Sequence, residues 1–198
     1  MAPVSCEVWW TDLDVPGDAV EAMAATLDDD ERARAARFRG DHLRRRYVVS
    51  HAMLRAVLAF DGAFAVGPHG KPALPGGPHF NLSHSGERAV VAVCAAAEVG
   101  IDVEALRAVG EGVAERVMSP EELAAWRAAA DPERFLLETW TRKEAVVKAT
   151  GEGIIRSLRT LSYDGHTVVP LDLGPGYVAA VAVAAAADPV DVVLRRWG

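Results

Sequence analysis

The sequence contains only two cysteines and no apolar run of the roughly 18 residues that a membrane-spanning helix requires. Cys6 and Cys94 are too few for a disulfide framework or a zinc site, and each stands in an apolar stretch typical of a buried thiol. The first residues lack the basic and apolar blocks of a secretory signal. These absences predict a cytoplasmic protein with no membrane partner.

Positive charge is also scarce, because 21 lysines and arginines stand against 28 acidic residues and give a net charge of −7. This balance argues against a nucleic-acid partner. Arginines are nevertheless concentrated in one part of the N-terminal half, at Arg32, Arg34, Arg37, Arg39, Arg44, Arg45 and Arg46. Such a cluster is most often a solvated helix face, and it can also bind a phosphate-rich ligand or an acidic partner.

The order of predicted elements indicates an α+β fold with largely antiparallel sheets. Strands are predicted at residues 4–10, 80–82, 88–94, 99–104, 160–163, 167–171, 177–184 and 190–195. Helices are predicted at residues 28–38, from 41 to before 62, from 119, and from 131 to about 149, whereas residues 111–117 show only a weak pattern. Because the order is similar before and after about residue 100, we expect two halves, residues 1–100 and 101–198.

Asp102 and Glu104 lie two residues apart on a predicted strand, so their side chains point to the same face, with Cα atoms about 6.6 Å apart. Two adjacent carboxylates repel each other, and a hard cation such as Mg²⁺ relieves that repulsion. The alternative interpretation is an acidic strand end that faces solvent.

Glu144 and Lys148 are four residues apart on a predicted helix and are therefore neighbours on its surface. The pair either directs a carboxylate and an ammonium at one site or forms a surface ion pair that contributes only a few tenths of a kcal/mol.

Ser83 and His84 follow each other on a predicted strand, with Asn81 and Ser83 expected to face outward. Adjacent strand residues point to opposite faces, so the two side chains are poorly placed to act as nucleophile and base. A ligand-binding role fits better, and a turn with internally satisfied hydroxyl groups is the alternative. Lys71, between Gly70 and Pro72, has an ammonium whose direction its rigid and permissive neighbours can fix.

Taken in order, four motifs resemble the 4′-phosphopantetheinyl transferase superfamily. They are Gly-Lys-Pro at 70–72, Phe-Asn-Leu-Ser-His-Ser at 80–85, Gly-Ile-Asp-Val-Glu at 100–104 and Trp-Thr-Arg-Lys-Glu-Ala-Val-Val-Lys at 140–148. The length and the arginine-rich N-terminal half look like the Sfp-type branch, which activates peptide and polyketide synthases. The resemblance covers roughly residues 28–155.

The resemblance implies a pseudo-dimer of two similar α+β halves with the active-site cleft between them. It implies transfer of the phosphopantetheine arm of coenzyme A to a serine of an acyl, peptidyl or polyketide carrier protein, with Mg²⁺ as cofactor and 3′,5′-ADP as product. Since one chain supplies both halves, we expect a monomer.

The resemblance also assigns roles to individual residues. The metal-binding acids are Asp102, Glu104 and Glu144. Lys148 is the expected contact to the pyrophosphate. Because phosphoryl transfer also requires a base for the serine proton, we expect Glu144 to be that base, either directly or through a metal-bound water. The expected coenzyme A contacts are Lys71, Ser83 and His84, and the candidates for the 3′-phosphate and adenine region are Arg34, Arg37 and Arg46. Glu31 stands where family members often carry a basic residue.

Two other functions are compatible with parts of the sequence. A coenzyme A-binding regulatory module without activity could lose Glu144 or Lys148, yet both are present. A hydrolase using Ser83 or Ser85 would be expected to carry a Gly-x-Ser-x-Gly elbow, which is absent.

The apolar residues of the segment 111–123 could form the docking surface for the carrier protein. These residues are Val113, Val117, Met118 and Leu123. Equally, they could be core residues of an amphipathic segment. If they form the surface, Met118→Asp raises the KM for the carrier.

Overall fold

The computed structural model describes residues 3–67, 69–151, 157–184 and 189–198. The strands are β1 (Val4–Asp12), β2 (Ala65–Val66), β3 (Pro72–Ala73), β4 (His79–Ser85), β5 (Arg88–Cys94), β6 (Val99–Ala105), β7 (Thr167–Leu171), β8 (Tyr177–Val183) and β9 (Val190–Arg196). The helices are α1 (Gly17–Ala24), α2 (Asp29–Ala36), α3 (Asp41–Leu58), α4 (Glu111–Val117), α5 (Pro120–Ala128) and α6 (Pro132–Thr150).

Two sheets and two long helices form the framework. The first sheet has the strand order β4-β5-β1-β9 and the second has the order β6-β8-β7, while β2 and β3 form a small separate hairpin. All pairs are antiparallel except β1 with β9, which is parallel. The predicted α+β class with largely antiparallel sheets is confirmed.

The alternation of side chains along the strands divides the core into layers. One face of the first sheet packs on one face of the second, and this layer includes Val8, Val90, Ile101 and Val181. The opposite face of the first sheet packs on α3, and the opposite face of the second sheet packs on α6. The order is therefore helix, sheet, sheet, helix.

Helix ends follow local rules that the sequence shows. Asp28 and Glu31 form a capping box at the start of α2, and Ser119 and Glu122 form one at the start of α5. Gly151, in the left-handed region at φ 68°, ends α6.

The two sheets share a connectivity. The strand order β4-β5-β1 in the first matches β7-β8-β6 in the second, and α3 and α6 occupy equivalent places in the chain. However, β9 crosses the expected boundary at residue 100 and pairs with β1. The division into residues 1–100 and 101–198 therefore stays a prediction, and one strand does not follow it.

Two local expectations differ from the structure. Residues 160–163 do not form a strand; a short 3₁₀ turn occupies Leu158–Thr160 instead. Residues 111–117, for which the sequence gives little pattern, form the helix α4, whose Ala114 and Val117 are buried. Within the described ranges, no helix is long and apolar enough to cross a membrane.

Candidate active site at the junction of two strands and a helix

The edges of β4 and β6 are joined by side chains of β4. The amide of Asn81 accepts a hydrogen bond from the backbone N–H of Ile101 at 3.0 Å, and the hydroxyl of Ser85 accepts one from the N–H of Ala105 at 3.1 Å. Polar groups of β4 thus satisfy the backbone of β6 in place of a paired strand. The sequence predicts that Asn81 and Ser83 face outward, but in the structure both face β6. Ser83 accordingly has a relative exposure of only 8%.

Ser83, Asp102 and Lys148 form a three-way contact where β4, β6 and α6 meet. The Lys148 ammonium donates to Oδ1 of Asp102 at 2.6 Å and to Oγ of Ser83 at 3.0 Å. The Ser83 hydroxyl in turn donates to the same Oδ1 at 2.9 Å. Ser83 therefore positions the lysine and the aspartate relative to each other.

Gly100 allows this contact by letting α6 approach β6. A Cβ atom at this position would lie 2.1 Å from the carbonyl oxygen of Ala145 and 2.3 Å from the backbone nitrogen of Ala149. Any larger residue would push the helix that carries Glu144 and Lys148 away from the strand that carries Asp102.

Asp102 is the most buried acid of the site, with a relative exposure of 5%. Burial raises its pKa, although the charge and hydrogen bonds of Lys148 and Ser83 oppose that effect. Its second oxygen, Oδ2, is buried and has no hydrogen-bond partner among the described residues. An acid oxygen of this kind is available to a further ligand.

Glu104 and Glu144 flank Asp102. Oε2 of Glu104 accepts hydrogen bonds from Ser85 at 2.8 Å and Arg107 at 2.6 Å. Glu144 is half-buried, and burial, followed by repulsion from Asp102, raises its pKa; Lys148 lowers it and Glu104 raises it further. The three carboxylates therefore share one electrostatic neighbourhood.

The donor set suits Mg²⁺, which prefers carboxylate oxygens and keeps several waters. The orphaned Oδ2 of Asp102 and the mutual repulsion of the acids favour a cation there. In the conformation described, however, Lys148 and Arg107 hold Asp102 and Glu104, and no three potential ligands among the described residues are arranged around one metal position. The assignment of the three acids to a metal stays a prediction.

His84 lies on the face of β4 that also carries Phe80 and Leu82, and those two residues pack against α3. Its side chain is exposed at the end of the apolar layer. Partial desolvation of the ring lowers its pKa, and the positive groups of His51, Arg46 and Lys148 lower it further.

Lys71 has a different setting from the other predicted ligand contacts. Its ammonium donates to Glu98 at 2.8 Å, to the carbonyl of Ala149 at 3.1 Å and to the carbonyl of Val99 at 3.2 Å. All three donors are thus used to hold the segment at Lys71 to β6 and the end of α6. A cavity of about 790 Å³ adjoins this lysine, and the three acids do not line it.

In the structure Arg46 lies apart from Arg34 and Arg37, the other two arginines predicted to bind coenzyme A. Arg46 donates to Oε1 of Glu87 at 2.5 Å and contributes to the field at His84. Arg34 and Arg37 line a different surface hollow, together with Asp30 and Phe38. Of the three arginines, Arg46 is the one whose charge acts on His84. The roles of all three in binding coenzyme A stay predictions.

The expected docking surface of residues 111–123 is wrong for three of its four members. Val117, Met118 and Leu123 have relative exposures of 2%, 0% and 9% and belong to one buried cluster; Val113 packs against it half-buried. Their apolar spacing reflects the core between α4, α5 and α6.

Lys143 is a residue of the last motif whose role the sequence interpretation missed. It is only 1% exposed, and its ammonium donates to Glu122 and to the carbonyls of Val117 and Leu158. Its place in the motif was the available signal, but its partners are 15 to 26 residues away along the chain.

Comparison with known proteins identifies the family of this chain. The model of the 4′-phosphopantetheinyl transferase superfamily matches residues 98–179, which include β6 and α6. The chain is 37% identical over 167 residues to the 4′-phosphopantetheinyl transferase HetI of Nostoc sp. (strain PCC 7120), across 75% of this chain and 70% of that protein. It is 32% identical over 203 residues to the 4′-phosphopantetheinyl transferase psf-1 of Bacillus pumilus, across 88% of this chain and 87% of that protein.

An α+β chain with this acid and lysine site and these relatives is an enzyme of the transferase class. It belongs to the 4′-phosphopantetheinyl transferase superfamily. Among solved structures, a holo-[acyl-carrier-protein] synthase of Thermotoga maritima matches 45% of this chain and 63% of that one at 23% identity, with a TM-score of 0.38.

Proposed function

We propose that this protein transfers the 4′-phosphopantetheine arm of coenzyme A to a serine of an acyl, peptidyl or polyketide carrier protein and releases 3′,5′-ADP. The observation that supports this most directly is the contact of Lys148 with Asp102 and Ser83, with Glu144 in the same field. Phosphoryl transfer depends mainly on positioning and on neutralising charge at phosphate oxygens, and this junction offers both.

Asp102, Glu104 and Glu144 would hold the Mg²⁺ ion. When bound, the ion supplies positive charge against the pyrophosphate oxygens of coenzyme A. Lys148 adds a second positive charge, and Ser83 fixes where that charge lies. Gly100 keeps the lysine and the acids together, because it allows the close approach of α6 to β6.

Glu144 takes the proton from the attacking serine hydroxyl. It is the one acid of the three to which no described side chain donates a hydrogen bond or forms an ion pair. Its raised pKa makes it a stronger base than an ordinary glutamate, which suits proton removal from a poorly acidic alcohol.

Coenzyme A lies between the two halves of the chain, residues 1–100 and 101–198, which form a pseudo-dimer within one monomeric chain. The shared strand order of the two sheets supports this arrangement. His84 and Arg46 lie at the end of β4, where a phosphate group of coenzyme A can meet positive charge.

The decisive experiment measures the intact mass of a panel of apo carrier proteins after incubation with the protein, coenzyme A and Mg²⁺. We expect a gain of one phosphopantetheine that EDTA abolishes and that Glu144→Gln reduces strongly. Binding of coenzyme A without any mass gain on any carrier would instead identify a regulatory binding module. Absence of both binding and transfer would overturn the proposed function.

A further inference from the structure

A buried carboxylate joins α2 to α3. Glu31, with a relative exposure of 8%, accepts a hydrogen bond from Nε of Arg55 at 2.6 Å and contacts Nδ1 of His51 at 2.8 Å. Arg55 also donates to Asp28 at 2.5 Å. The group therefore joins two carboxylates, one guanidinium and the imidazole of His51.

The His51 ring is fixed on two sides. Its Nδ1 is engaged by Glu31, and its plane stacks on Tyr47 with ring centroids 4.0 Å apart and an interplanar angle of 27°. A carboxylate at Nδ1 determines the orientation of an imidazole and leaves Nε2 as its outward polar atom. The side chain retains 23% exposure, so that atom can reach a ligand.

The place of His51 in the fold brings it towards the end of β4. The α3 helix packs on the face of β4 that carries Phe80 and Leu82, and His84 is the next residue on that face. Arg46, also on α3, is tied to Glu87 in the turn that follows β4. The influence of His51 on the ionisation of His84 agrees with this proximity.

We propose that His51 is a further ligand-binding residue, which binds a terminal phosphate monoester together with His84. In this proposal Glu31 is the residue that positions His51. The inference rests on the proposed function in that the phosphate is the 3′-phosphate of coenzyme A. An imidazolium that donates from Nδ1 to a carboxylate can donate from Nε2 to a phosphate oxygen, and such charge-assisted bonds are short and strong.

The test compares two nucleotides that differ only in that group. Calorimetry of 3′,5′-ADP and 5′-AMP gives the preference for the 3′-phosphate without any need for catalysis. We expect the full chain to prefer 3′,5′-ADP, and His51→Gln to reduce that preference about tenfold, the effect of losing one charge-assisted hydrogen bond. Binding of 5′-AMP should stay unchanged. Glu31→Gln should reduce the preference in the same direction, because it releases the ring.

His42→Gln is the matched control, because His42 lies on the same helix and is exposed. If His51 had a purely structural role, His51→Gln would weaken the binding of both nucleotides equally, and this result would overturn the inference. So would an unchanged preference in His51→Gln, or a wild-type protein that binds the two nucleotides equally. If the protein prefers 3′,5′-ADP as expected but modifies no carrier, the proposed transfer is overturned, whereas the binding of the phosphate by His51 remains supported.

Discussion

The Lys143 ammonium lies 2.5 Å from Oε2 of Glu122, the acid that completes the capping box of α5. The same ammonium donates to the last carbonyl of α4, at Val117, and to the carbonyl of Leu158. Lys143 and Glu144 are adjacent in the sequence, yet the first holds α4 and α5 in place while the second faces the site. One turn of α6 therefore links the arrangement of the neighbouring helices to the position of the candidate base.

Lys143→Met should destabilise the protein by about 3–5 kcal/mol, because it leaves a buried acceptor set without its cation. Urea unfolding followed by circular dichroism measures this loss. The control is Arg127→Met, which removes an exposed pair with Glu111 and should cost less than about 1 kcal/mol. Equal effects of the two substitutions would show that Lys143 has no special structural role.

Met118→Asp should destabilise the fold, not merely weaken a carrier contact. Met118 is fully buried in the cluster between α4, α5 and α6, so a carboxylate there loses its hydration without gaining a partner. We expect a loss of at least about 3 kcal/mol in the free energy of unfolding. Ala124→Asp, on the exposed face of α5, should cost below about 1 kcal/mol. A stable Met118→Asp variant with a raised KM for the carrier would restore the docking hypothesis.

The contrast between these residues shows what the sequence can predict. Asp102 and Glu104 lie on one face of β6 as the two-residue period requires, and Ser119 and Glu122 form the expected capping box. Both relationships are local, and the motifs carry them. The same apolar spacing that suggested a docking surface at Met118 is what a buried helix requires, because periodicity shows that a face is covered but not what covers it.

Relationships between distant segments could not be derived in this way. The contact of Glu31 with His51 and the return of β9 to β1 each join segments 20 or more residues apart. Nor does any local pattern distinguish Lys71, which donates to Glu98 and two backbone carbonyls, from Lys148, which donates to Asp102 and Ser83. These partners follow from how the layers pack, which depends on the whole chain.

Glu144→Gln should remove most turnover while the fold remains intact. The amide keeps the size of the side chain but cannot take a proton, and it also relieves repulsion from Asp102. We expect a loss of kcat of at least about 100-fold, the usual contribution of a general base. Single-turnover transfer to a carrier measures it, with thermal unfolding as the check on the fold. Near-wild-type turnover would exclude Glu144 as the base.

Lys148→Met should slow transfer more than it weakens binding of coenzyme A. The ammonium neutralises charge that grows in the transition state, so its removal affects kcat more than ground-state affinity. Measuring kcat by transfer kinetics and the dissociation constant of coenzyme A by calorimetry, each as a separate value, distinguishes the two effects. Arg142→Met, on the same helix but paired with Glu138, is the matched control. An equal loss in both quantities would reduce Lys148 to a binding residue.

Binding of 3′,5′-ADP should be linked to proton uptake at His84. Desolvation lowers the pKa of His84 in the free protein, and the neighbouring groups of His51, Arg46 and Lys148 lower it further. The folded state therefore gains stability from neutral His84 at pH values above the ordinary histidine pKa. That stability is lost as the pH falls through the lowered pKa. A phosphate beside the ring opposes this effect and favours the protonated form. Affinity should therefore rise as the pH falls from about 8 to about 6.

Calorimetry in two buffers with different enthalpies of ionisation gives the number of protons taken up on binding. The nucleotide phosphate titrates in the same range, so the informative quantity is the difference between wild type and His84→Gln. We expect the wild type to take up more protons than the variant and to show the steeper dependence of affinity on pH. Because both proteins bind the same nucleotide, the difference between them reports the histidine itself. Identical proton uptake in the two proteins would show that His84 does not contact the phosphate.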